Sequence, residues 1–124
     1  MSSQRKVLPK GVAAGDFDKA IKEIRGILGD EYVLVDDERL APYEKIMMPV
    51  PDAQHAPSAA IMPDGVEPIR KIMKVANKYR IPVYPISTGK NIGYGSAAPV
   101  QRGQIVMDLR RMNRIIEVDA ELCT

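Results

Sequence analysis

Residues 84–99 read YPISTGKNIGYGSAAP, and the three glycines Gly89, Gly93 and Gly95 follow a run of residues that is typical of a β-strand. Glycine allows positive φ angles and lets another group approach the backbone closely. Consecutive N–H groups in such a loop form a concave anion site, to which the Ser, Thr, Asn and Lys side chains would add donors and a positive charge. The segment therefore indicates a loop that holds a phosphorylated ligand.

The spacing of these glycines leaves a second interpretation open. They form the pattern G-x-x-x-G-x-G, which differs from the dinucleotide fingerprint, and Lys90 lacks the sequence context of a Walker loop. The alternative is a long hairpin connection with tight turns. Tyr94, between two of the glycines, also has two interpretations. Its neighbours give its ring no lateral support, so the ring either points into the ligand site or fills a gap in the core.

Hydrophobic periodicity predicts two helices upstream of the loop. The first is capped by Asp16, carries an apolar stripe and stops at Gly29. The second has Pro68 in its first turn and a basic face opposite its apolar face. Short apolar runs predict strands at residues 32–35, 58–62, 81–86, 104–109 and 115–119. Residues 40–57 contain four prolines and are expected to form a long ordered loop.

The order of these elements predicts a small α+β module after an N-terminal arm at residues 1–15. The second helix lies between two predicted strands, which gives a right-handed βαβ unit. The last strand of that unit leads directly into the glycine loop. Ligands of α/β folds usually bind at that end of a strand, which supports the anion-site interpretation.

Composition excludes several classes of function. Hydrophobic residues make up 45% of the chain and charged residues 27%, which is typical of a soluble packed domain. A net charge of +2, scattered basic residues and 5% aromatic residues argue against nucleic-acid binding. One cysteine and one histidine argue against a disulfide framework and a metal centre. No signal peptide or apolar run of membrane-spanning length is visible, so a soluble, uncleaved chain without membrane insertion is expected.

Four further residues have simple structural interpretations. His55 is expected to be a surface or packing residue. Asp108 and Asp119 are expected to end strands or to pair with nearby arginines. Cys123 has no activating neighbour in the sequence, so a reactive role has little support.

Three longer motifs carry a family resemblance. They are residues 85–104, which read PISTGKNIGYGSAAPVQRGQ, residues 108–119, which read DLRRMNRIIEVD, and residues 56–60, which read APSAA. Together they resemble the FAD-binding domain of the vanillyl-alcohol oxidase and para-cresol methylhydroxylase family, and within it the 4-alkylphenol hydroxylases. The resemblance implies that residues 16–124 form the N-terminal part of a PCMH-type FAD-binding domain.

The resemblance also implies roles for the residues of the glycine loop. In the family, the backbone of the matching loop holds the pyrophosphate of FAD. The matching positions are Ile86, Ser87, Thr88, Gly89, Lys90, Asn91, Ile92 and Gly93. The tyrosine that matches Tyr94 binds the phenolic oxygen of the substrate, which favours hydride loss to a quinone methide that then adds water. Lys90 departs from the arginine usual in the family, keeping the charge and losing the forked donors.

The resemblance covers this whole chain and only the front portion of a family member. It implies an oxidoreductase for phenolic substrates, with a c-type cytochrome subunit as partner, a homodimer of the full flavoprotein and a periplasmic location. The remaining catalytic residues are expected beyond Thr124, so the chain is expected to be truncated and catalytically incomplete by itself. The alternative is a truncated, non-catalytic module that binds FAD or phosphate.

Overall fold

The structure is a computed structural model that describes residues 7–46, 48–89 and 96–124. Its centre is a four-stranded sheet, and the α+β fold class is confirmed. The strands are β1 (Val33–Leu34), β2 (Ala59–Ile61), β3 (Val83–Ile86) and β4 (Ile105–Asp108). The α-helices are α1 (Ala14–Leu28), α2 (Asp37–Leu40) and α3 (Val66–Tyr79). Single 3-10 turns lie at Asp30–Tyr32, Ala41–Tyr43 and Asp52–His55. None of the helices in these described ranges is long and apolar enough to cross a membrane.

Helix α1 differs from the prediction at its start and agrees with it at its end. The N-cap residue is Ala13, which has no capping side chain, and Asp16 lies inside the first turn. The predicted Asp16 cap is therefore wrong, because Ala14 and Gly15 already have helical conformation. Gly29 has a φ of 91° and its N–H donates to the carbonyl of Arg25, which ends the helix as predicted.

Helix α3 agrees with its prediction in its first turn and in its basic face. It begins after Gly65, and Pro68 lies in the first turn, where a missing N–H donor has little effect. The four basic residues of its predicted basic face are all exposed. They are Arg70, Lys71, Lys74 and Lys78. Two buried residues of its opposite face, Ile72 and Val75, pack in the core that α3 shares with α1.

The strand order is β1-β2-β4-β3. Strand β1 runs antiparallel to β2, whereas β2, β4 and β3 are parallel. The predicted strand–helix–strand unit is present as β2, α3 and β3, but β4 lies between its two strands. This insertion places the carboxyl ends of β3 and β4 next to each other.

Alternating side chains of the sheet form two cores on its opposite faces. The core on the face of α1 and α3 contains Phe17, Ala20, Ile21, Ile24, Val33, Ala59, Ile61, Ile72, Val75, Ile81, Ile105 and Met107. The core on the other face contains Leu34, Leu40, Tyr43, Ala60, Ile86 and Val106. Leu40 and Tyr43 belong to short helical turns within residues 37–43. The expected loop at residues 40–57 therefore contains helical turns, and its first part covers the second face of the sheet.

The predicted strand at residues 115–119 is wrong for the described structure. These residues have no strand assignment, and Ile115, Ile116 and Val118 are 78%, 92% and 75% exposed. Their β-branched composition favours an extended backbone, but a strand also requires a hydrogen-bonded neighbour. No described strand pairs with this segment.

Candidate functional site

The glycine loop starts at the carboxyl end of β3, beside the carboxyl end of β4. The two strands are parallel, and Ile86 pairs with Asp108 at their ends. The N–H of Leu109 donates to the carbonyl of Ile86 at 2.9 Å, which extends the pairing by one step. Ser87 and Thr88 therefore leave the sheet beside Arg110, at the edge where ligands of parallel sheets bind.

The first half of the predicted ligand loop has a defined conformation. Ile86 is buried in the second core, whereas Ser87 and Thr88 are exposed. Gly89 has a φ of 72°, and a Cβ atom there would lie 2.9 Å from the Cβ of Ala97. Both the positive φ and the short distance exclude a larger residue. Gly89 thus turns the chain tightly against the segment that follows the loop.

The second half of the loop falls outside the described residues. This applies to Lys90, Asn91, Ile92, Gly93 and Tyr94. Their predicted roles in holding a pyrophosphate and a phenolic oxygen stay predictions.

Asp108 is a completely buried carboxylate at the end of β4. Its Oδ2 accepts a hydrogen bond from the Tyr43 hydroxyl at 2.7 Å and forms an ion pair with Arg110, whose Nε lies 2.7 Å away. Its Oδ1 accepts one from the backbone N–H of Arg110 at 3.0 Å. A buried charge is stable only when it is paired and hydrogen-bonded in this way. The expectation that Asp108 ends a strand and pairs with a nearby arginine is confirmed.

Tyr43 is a site residue that sequence reasoning missed. It is buried, and burial together with its hydrogen bond to the Asp108 carboxylate raises the pKa of its hydroxyl above the ordinary value. Tyr43 therefore remains protonated and acts as a donor. It lies 65 positions before Asp108, so no local pattern connects the two residues.

Arg110 brings positive charge to this edge of the sheet. Its side chain is 51% exposed, while the carboxylate that it contacts is completely buried. Its Nε forms an ion pair with Asp108, and the two terminal nitrogens bond to no other described residue. The guanidinium is thus oriented by a buried partner and keeps one edge for a ligand.

The chain that follows the loop is held by contacts with the N-terminal half of the protein. Half-buried His55 places its Nδ1 2.9 Å from the carbonyl oxygen of Pro99, in keeping with the packing role expected for it. Gly103 has a φ of 88°, and a Cβ there would lie 2.2 Å from the carbonyl oxygen of Leu8. The N–H of Gly103 also donates to the carbonyl of Ala56 at 2.9 Å. These contacts fix the frame against which Gly89 packs.

A cleft of about 380 Å³ lies away from the glycine loop, beside Gly11, Val12, Lys78 and Arg80. Arg80 follows α3 and precedes β3, so this cleft lies at the amino edge of the sheet, opposite the loop. In the part of the chain that the structure describes, no group of three or more His, Cys, Asp or Glu residues could hold a metal ion.

Residues 57–124 match a family model that is described as an FAD binding domain. The chain is 55% identical over 124 residues to the "4-cresol dehydrogenase [hydroxylating] flavoprotein subunit" of Pseudomonas putida, covering 99% of this chain and 24% of that protein. Among solved structures, p-cresol methylhydroxylase with substrate bound matches with 56% identity and a TM-score of 0.88, over 91% of this chain and 22% of that one.

A 4-ethylphenol oxidase from Gulosibacter chungangensis, solved as an isoeugenol complex, matches with 37% identity and a TM-score of 0.86. That match covers 93% of this chain and 22% of the oxidase. This chain therefore spans about a quarter of the length of the curated flavoprotein subunit that it matches. The glycine loop and β4 both lie inside the part that matches the family model.

Proposed function

This chain belongs to the FAD binding domain family, which confirms the resemblance found in its sequence, and we propose that it forms the N-terminal part of a 4-alkylphenol oxidoreductase. FAD is the cofactor that this family binds. The single observation that carries the proposal is the whole-chain identity of 55% to a 4-cresol dehydrogenase flavoprotein subunit. The position of the glycine loop at the carboxyl edge of the sheet agrees with it.

The described residues fit the diphosphate of FAD. Ser87 and Thr88 present exposed hydroxyls at the carboxyl edge of β3, and Gly89 takes a backbone conformation that suits glycine. The guanidinium of Arg110 supplies positive charge at the same edge. We assign the contact with the diphosphate to the backbone of residues 86–93.

Tyr94 is the substrate-side residue of the proposal. We propose that its hydroxyl donates a hydrogen bond to the phenolic oxygen of the substrate and stabilises negative charge on it. A phenolate loses hydride from its para-benzylic carbon more readily than a phenol does, and the product of that loss is a quinone methide. Water then adds to the quinone methide to give an alcohol. FAD supplies the acceptor for the hydride when it is bound.

The proposed electron acceptor and assembly rest on the similarity to the 4-cresol dehydrogenase flavoprotein subunit. That relative is a flavoprotein subunit, which supports a second subunit as partner. We propose that this partner is a c-type cytochrome, that the full flavoprotein is a homodimer, and that the complex works in the periplasm. These three assignments apply to a protein of the length of the relatives.

The test uses protein expressed from the full reading frame that carries these residues. We expect a yellow preparation with a flavin absorption spectrum. Its visible absorption band should bleach when 4-methylphenol is added without oxygen, because the flavin is reduced. Protein that takes up no flavin on incubation with FAD would contradict the proposal. Flavin that binds but reacts with no 4-alkylphenol would contradict the proposed substrate class.

A further inference from the structure

Arg110 is built into the edge of the sheet in an unusual way for a half-exposed arginine. Its Nε forms an ion pair with Asp108 at 2.7 Å, and its backbone N–H donates to the same carboxylate at 3.0 Å. Asp108 is in turn fixed by the buried hydroxyl of Tyr43. An exposed surface ion pair contributes little and holds no fixed geometry, whereas a completely buried carboxylate orients its partner.

The backbone that carries this guanidinium lies next to the described start of the glycine loop. Ile86 and Asp108 are paired, and Thr88 and Arg110 each lie two residues beyond them. Two residues span at most about 7 Å of extended chain, so both stay close to this pair. The edge of the guanidinium formed by its two terminal nitrogens is free of described partners, and that edge matches two phosphate oxygens.

The two arginines that follow in sequence differ from Arg110. Arg111 donates to the carbonyl of Met62 at 2.7 Å and lies 3.4 Å from the centre of the Tyr32 ring. Its donors and its planar face are therefore already engaged next to β1 and β2, on the side of the sheet away from β3. Arg114 is exposed and has no contact that orients it within the described chain. Arg110 alone among these three combines a fixed position with free donors.

We propose that Arg110 is a diphosphate-binding residue, held in place by Asp108 and Tyr43, that contacts FAD from the β4 side of the loop. This inference rests on the proposed function, since it takes FAD to be the ligand of the loop. The two terminal nitrogens donate to phosphate oxygens, while the Nε side of the guanidinium keeps its ion pair with Asp108. Tyr43 and Asp108 are positioning residues that act through Arg110.

The experiment measures the affinity of FAD and of riboflavin for flavin-free protein expressed from the full reading frame, by quenching of flavin fluorescence. The variants are R110Q and the matched control R114Q, which removes the same charge from an exposed position. Loss of a charge-assisted hydrogen-bonded contact should weaken FAD binding in R110Q by about 10- to 100-fold. Riboflavin has no phosphate, so its affinity should be the same in R110Q and R114Q.

Each outcome decides between the two proposals. Unaltered protein that binds no FAD would contradict the proposed function itself. If the unaltered protein binds FAD and R110Q and R114Q bind it with equal affinity, only the role of Arg110 is overturned. Equal weakening of FAD and riboflavin in R110Q would also overturn it, because such a loss reports a folding defect. If R110Q does not fold, R110K decides instead. Weaker FAD binding with unchanged riboflavin binding supports the proposal, and unchanged FAD binding overturns it.

Discussion

The substitution Tyr43→Phe tests how much the buried Asp108 cluster contributes to stability. Phenylalanine keeps the ring in the second core and removes only the hydroxyl, which donates to Asp108 at 2.7 Å. A hydrogen bond to a charged group contributes about 1.5–3 kcal/mol, and the buried carboxylate would keep only the backbone hydrogen bond and the ion pair from Arg110. We expect the free energy of unfolding of the 124-residue chain at pH 7 to fall by about that amount.

The same substitution should change the alkaline pH dependence of stability. Burial and the Asp108 carboxylate raise the pKa of Tyr43 in the folded chain above the ordinary value. As pH rises past about 10, the unfolded chain therefore releases this proton before the folded chain does, and stability is lost. The loss should be about 1.4 kcal/mol per pH unit above that pH, and it should be absent in Tyr43→Phe. The stability difference between the two proteins should therefore shrink at alkaline pH.

Urea unfolding followed by circular dichroism, at pH 7 and at several values between about 9 and 11, measures both effects. The matched control is Tyr84→Phe, since Tyr84 packs against the same core and its hydroxyl bonds to no described residue. The control should change stability by less than about 0.5 kcal/mol. The reasoning about Asp108 is refuted if Tyr43→Phe lowers the free energy of unfolding at pH 7 by no more than the control does. It is also refuted if Tyr43→Phe loses as much stability at alkaline pH as the unaltered chain.

Three further substitutions test the loop and its frame. Gly89→Ala requires a positive φ and a 2.9 Å approach to Ala97, so urea unfolding should show a loss of about 1–2 kcal/mol or more, whereas the helical control Gly15→Ala, with open space at its Cβ, should not destabilise. Gly103→Ala should displace the backbone at Leu8 and speed proteolysis of the N-terminal segment; unchanged cleavage would contradict this. Tyr94→Phe in the full-length protein should slow reaction with 4-alkylphenols and leave FAD bound; loss of FAD with unchanged turnover per flavin would show a structural role.

Local sequence features determined most of the individual elements. The apolar periodicity of α1 and α3, the stop at Gly29 and the short apolar strands all depend on residues close together in the chain. The sequence also contained the glycine loop and the motifs of the FAD-binding family, since those motifs are contiguous. These features were predictable because backbone propensity and side-chain spacing act over a few residues.

The structure alone decided which elements are neighbours. Strand β4 lies between β2 and β3, and this order brings Arg110 to the start of the glycine loop. The Tyr43–Asp108 bond joins residues 65 positions apart and leaves no trace in local spacing. The segment at residues 115–119 shows the opposite case, in which strand propensity is present and no described strand pairs with it.

The glycine loop is therefore a local property of this sequence, and its charged surroundings are a tertiary one. Glycines at 89, 93 and 95 suit close approach to a phosphate wherever the chain carries them. Whether an arginine lies near the start of this loop depends on strand order, and its orientation depends on a carboxylate that is buried only in the folded protein. Burial and hydrogen bonding of that carboxylate are long-range effects, because they require segments distant in sequence to pack together.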